Sequence, residues 1–88
     1  MFPLGDIRIT AGASALMGRE AADPVRLLYR HERGDWGNLP DEDRAANDRV
    51  LREGGRLVSR YCVDGCKPIY VSTEADRSVT TICLPEEV

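Results

Sequence analysis

A change of hydrophobic period at Arg56 constrains this chain more than any other feature. Ahead of it, apolar residues recur at helical spacing between helix start and stop signals; after it, they alternate. Helices followed by strands predict an α+β domain, with the helices on one face of an antiparallel sheet. A chain of 88 residues has room for one hydrophobic core, so residues 1–88 are read as a single domain.

Asp6-Ile7-Arg8-Ile9-Thr10 alternates strictly and suits a short strand at an edge of the sheet. Thr10 can cap a short helix over Ala11 to Arg19, with Ala15, Leu16 and Met17 as its apolar stripe. Asp23-Pro24 opens a second helix, because the carboxylate caps and proline tolerates the first helical position. Val25, Leu28 and Tyr29 form its expected inner face up to about Glu32, and Gly34 ends it. Leu39-Pro40-Asp41-Glu42-Asp43 opens a third helix, placing three carboxylates where the helix dipole favours negative charge. Its expected inner face is Ala46, Val50 and Leu51, and Gly54-Gly55 stops it.

Beyond Arg56, Leu57 to Cys62 and Lys67 to Thr73 read as a hairpin around Val63-Asp64-Gly65. In that register Cys62 faces Cys66, while Leu57, Ile69 and Val71 point to the core. Glu74 to Ser78 makes a turn and Val79 to Leu84 a last strand. The expected fold is a short N-terminal strand, two to three helices and a three-stranded antiparallel meander packed on them.

No stretch approaches the roughly 18 apolar residues that span a bilayer. Met1 to Asp6 lacks the basic flank and apolar run of a signal peptide. Three cysteines do not make a disulfide framework, so a cytoplasmic chain with free thiols and no membrane partner is expected. A core this small gives modest stability, raised by any self-association, and a homodimer is among the expected partners.

Neither Gly-x-Gly-x-x-Gly nor a Walker sequence is present, so no nucleotide cofactor is expected. Cys62-x-x-x-Cys66 with Cys83 and the lone His31 could supply four zinc ligands, but the pair straddles a hairpin. Ordinary thiols are the first reading, ahead of a cross-strand disulfide and of zinc. His31, between Arg30 and Glu32, reads as a surface or half-buried residue before it reads as a catalytic base. Ser14, Ser59, Ser72 and Ser78 lack a nucleophile-elbow context, and no catalytic residue is assigned.

Surfaces remain. Trp36, flanked by Gly34-Asp35 and Gly37, is either a core plug or a binding anchor. Asp35 with Asp41, Glu42 and Asp43 would make its surroundings negative. Glu74, Asp76 and Arg77 could grip a partner's charged groups, although Asp and Ser are also what tight turns require. These eight residues form the expected partner-binding set. Arg26, Arg30 and Arg33, extended by Arg52, form an alternative nucleic-acid-binding face. Net charge of −3, from 12 basic and 15 acidic residues, favours pairing of these arginines with nearby carboxylates.

Phe2-Pro3-Leu4-Gly5, Gly34-Asp35-Trp36-Gly37, Glu42-Asp43, the run Thr73 to Thr81 and Leu84-Pro85-Glu86-Glu87 together carry a resemblance. Across nearly its whole length the chain resembles small plasmid-related proteins found on plasmids and integrated elements of GC-rich bacteria. It departs from them mainly in the hairpin, at Cys62 and Cys66. The resemblance implies genomic context and not chemistry. GC-rich coding also accounts for a basic complement in which Lys67 is the only lysine. On that footing the first expectation is a non-enzymatic accessory protein of a mobile element, acting by protein contacts, such as an inhibitor of a host CRISPR or restriction complex. A nucleic-acid-binding accessory factor is the second, and a small enzyme of unknown reaction the third.

Overall fold

The computed structural model describes residues 1–63 and 67–88. Strand β1 (Asp6–Ile9) leads into helix α1 (Ala11–Arg19), followed by α2 (Pro24–Glu32) and α3 (Asp41–Glu53). Strands β2 (Leu57–Val63), β3 (Lys67–Thr73) and β4 (Val79–Cys83) come next, and a 3₁₀ turn over Pro85–Glu87 ends the chain. The fold is α+β, with three helices and a four-stranded sheet in the order β1-β4-β3-β2. β2, β3 and β4 are the antiparallel meander. β1 takes the edge beside β4 and runs parallel to it, so the sheet is mixed and not purely antiparallel.

Local chemistry sets the helix boundaries. Thr10 accepts a hydrogen bond from the Ala13 amide and Asp23 one from the Val25 amide, each satisfying a donor that a helix start leaves open. Gly54, at φ 94°, stops α3.

Alternation then sorts the strands. Leu57, Ser59, Tyr61 and Val63 of β2, Ile69, Val71 and Thr73 of β3, and Thr80 and Ile82 of β4 are all buried. α1 adds Ala13, Leu16 and Met17, and α2 adds Leu27, to the main core. Phe2, Trp36 and Leu57 make a second cluster, flanked by Leu4, Leu39 and Val50.

The expected helix faces differ in part. In α1, Leu16 and Met17 are buried as expected, and Ala13 takes the place of the exposed Ala15. In α2, Leu27 and His31 face inward, whereas Val25 and Tyr29 are 68% and 54% exposed. In α3, Asn47 is buried between half-buried Ala46 and Val50, and Leu51 is exposed. The cause is common to α2 and α3: each turns a polar side chain inward because the strands offer it hydrogen-bond partners.

The hairpin register also differs from expectation. Val63 continues the buried alternation and pairs with Lys67, which sets Cys62 opposite Pro68. Cys66 and most of the expected loop, Asp64 and Gly65, lie outside the described residues. Val79–Cys83 ends one residue before the expected Leu84.

Candidate functional site

His31 is fully buried, where a surface or half-buried position was expected. Its Nδ1 lies 2.6 Å from the Ser59 hydroxyl and its Nε2 2.9 Å from that of Thr73. Thr73 Oγ1 is 2.7 Å from Thr80 Oγ1, which donates to the Leu4 carbonyl at 2.7 Å. That last bond fixes every proton in the chain. Thr80 has spent its only hydrogen on Leu4, so Thr73 donates to Thr80 and must accept from His31. His31 therefore carries its proton on Nε2, and Ser59 donates to Nδ1. Burial, and secondarily the Arg77 charge, push the His31 pKa down to about 4, keeping the imidazole neutral at pH 7. Phe2 and Trp36 close over the ring edge-on, at centroid distances of 5.2 and 5.8 Å.

A serine hydroxyl 2.6 Å from a histidine has the geometry of a nucleophile and its base. Here both residues are wholly buried, and three grooves on the described surface have linings that include none of His31, Ser59 and Thr73. The arrangement stitches β2, α2, β3, β4 and the N-terminal segment together. Among the described residues, no group of three or more Cys, His, Asp or Glu could hold a metal ion.

Trp36 is 3% exposed, so of its two readings the core plug is the one found. Its Nε1 donates to Asp48 at 3.0 Å. The loop around it closes the outer edge of β2. Asn38 donates its amide to the Arg60 carbonyl at 2.9 Å, and the Arg60 amide donates to the Trp36 carbonyl at 3.1 Å. Gly37, at φ 76°, is required there, since a Cβ would run into the Arg60 carbonyl oxygen. Asn47 covers the adjoining stretch, its Nδ2 donating to the Val58 carbonyl at 2.8 Å and its Oδ1 accepting from the Val58 amide at 3.4 Å.

The charged residues separate into paired and open sets. Arg30 grips Asp35 with two bonds, at 2.7 and 3.2 Å, which holds the Asp35 carboxyl below its usual range. Arg30 also lies 4.6 Å from the Tyr61 ring, and Arg33 lies 3.7 Å from the Tyr29 ring while pairing with Glu32 at 2.9 Å. Two of the four arginines of the alternative nucleic-acid face are thus engaged with carboxylates and rings; Arg26 and Arg52 are exposed on α2 and α3. In the Glu74–Ser78 turn, Asp76 accepts from both the hydroxyl and the amide of Ser78, which holds its carboxyl low. Arg77, at φ 62°, donates to the carbonyls of Gly55, Glu74 and Ala75. Local backbone bonding accounts for Asp76 and Arg77, while Glu74 is exposed.

Asp41, Glu42 and Asp43 are exposed at the start of α3, Asp41 pairing with Arg44 at 3.4 Å. Asp43 borders a groove of about 330 Å³ between α3 and the sheet face opposite the main core, floored by Leu39, Pro40, Ala46, Val58 and Tyr70, with Arg60 on its far wall. The acidic residues lie where the sequence implies, whereas the groove beside them was not expected from it. A signal for it existed: Val58, Arg60 and Tyr70 occupy the outward positions of their strands. Comparisons with protein-family models, curated proteins and solved structures find no match to this chain.

Proposed function

We propose that the chain is a non-enzymatic accessory protein of a mobile genetic element, acting in the cytoplasm by binding another protein. Host defence complexes of the CRISPR or restriction type are the partner class that the sequence resemblance suggests. One observation carries the binding reading: the groove between α3 and the sheet sets an apolar floor between exposed Asp43 and the half-buried Arg60. An apolar floor with a charged rim suits an anchoring apolar side chain from a protein partner flanked by groups that answer both charges. Burial of His31 and Ser59 supports a binding role over a catalytic one. Engagement of Arg30 and Arg33 with carboxylates supports a protein partner over bare nucleic acid.

Co-migration with purified CRISPR and restriction effectors, and their nuclease activity in its presence, test the proposal. Binding is expected to one of them, falling at least roughly tenfold in Asp43→Arg and in Ala46→Trp, which fills the groove. No co-migration and no change of activity across several systems would overturn it.

A further inference from the structure

The sheet has two edges, and they are treated in opposite ways. β2 is covered: Asn47 engages Val58, and the Trp36–Asn38 loop engages Arg60. Among the described residues β1 has β4 on one side and no strand on the other, and all four of its residues are exposed. The amides of Asp6 and Thr10 donate to the Ser78 and Ile82 carbonyls, so this parity of residue faces β4. Ile7 and Ile9, of the other parity, direct their amides and carbonyls outward. Their register with Thr80 and Ile82 places both isoleucine side chains on the helix-bearing face, where they remain 44% and 41% exposed.

We propose that this edge pairs with β1 of a second copy of the chain, antiparallel and about a two-fold axis through Ile7. The charges choose this occupant and this register. Asp6 and Arg8 flank Ile7 symmetrically, so setting Ile7 opposite its own copy brings each Asp6 opposite the partner's Arg8. The strand is complementary to itself, as a two-fold interface requires. Ile7 then exchanges two main-chain hydrogen bonds with its copy, because its amide and carbonyl already face outward. A shift of two residues would set Arg8 against Arg8, where like charges directly opposite each other repel. Ile7 meets its own copy on the helix-bearing face with each Ile9 diagonal to the pair, and the two sheets become one of eight strands. This contact is separate from the α3 groove, and its failure would leave the partner-binding reading standing.

Sedimentation over a concentration series up to about 1 mM tests the pairing, with Asp6→Arg and Arg8→Asp as variants. The wild type is expected to reach a dimer, and each variant to associate roughly tenfold or more weakly, since each reversal acts twice across the axis. An equimolar mixture of the two variants is expected to restore dimerisation, because Arg at both positions in one copy then meets Asp at both in the other. Far-ultraviolet circular dichroism confirms that each variant is folded. A wild type monomeric throughout would overturn the proposal, as would variants that dimerise like the wild type or a mixture that stays monomeric. A monomer whose β1 amides gain exchange protection only on adding a groove-binding partner would assign the edge to that partner instead.

Discussion

His31 ties helix α2 to the sheet through hydroxyl groups at the centre of the fold. Its neutral ring accepts from Ser59 and donates to Thr73, and the donor order runs one way to the Leu4 carbonyl. Nitrogen NMR is expected to show the Nε2–H tautomer, with no protonation down to about pH 5. A folded-state pKa of about 4 against an ordinary 6.5 means that the unfolded chain binds a proton that the folded chain refuses. Stability from this source is fully present above about pH 6.5, falls as the pH drops, and is lost entirely below about pH 4. At roughly 1.4 kcal/mol per pH unit the loss comes to about 3 kcal/mol. Urea unfolding between pH 7 and pH 4 measures it. A flat profile across that window would show that the ring is not held neutral by the fold.

At the scale of elements, Asn47 on α3 does for β2 what a neighbouring strand would do. Asn47→Ala removes both of its bonds to Val58 and leaves a main-chain pair on the sheet edge unanswered, a cost of about 1–3 kcal/mol in urea unfolding. Asn47→Asp is expected to lose as much, since a carboxylate keeps the acceptor facing the Val58 amide but opposes the Val58 carbonyl. Element boundaries were legible in the sequence because they rest on short-range chemistry: Thr10 and Asp23 as caps, Pro24 at a first helical position, Gly54 as a stop. Helix phase was not, because α2 carries apolar residues on more than one face and only tertiary contacts select Leu27 and His31 over Val25 and Tyr29. A clue to the buried polar chain was nonetheless present. Ser59, Thr73 and Thr80 occupy inward positions between Leu57 and Tyr61, after Val71 and before Ile82, and hydroxyls in such places need a buried partner. The acidic start of α3 was legible, whereas the groove beside it arises only when helix and sheet are brought together.

At the scale of the whole molecule, the net charge of −3 conceals a division of labour. Arg30 and Arg33 are tied up beside Asp35 and Glu32 and Asp41 pairs with Arg44, while Asp43 stands exposed beside the groove. No helix among the described residues is long and apolar enough to cross a membrane. The parallel pairing of β1 with β4 joins Asp6 to Val79, with three helices and two strands between them in sequence. Contacts so far apart in sequence require the intervening chain to be ordered before they are rewarded. β1 is therefore expected to dock after the folding barrier. Ile9→Ala, studied at micromolar concentration, should hasten unfolding and leave the folding rate unchanged; a folding rate that falls in proportion to the lost stability would place β1 in the nucleus. During synthesis β1 must wait, unpaired, until β4 has left the ribosome, so it stays open to proteases and chaperones longer than β2 and β3, which pair with near neighbours in sequence.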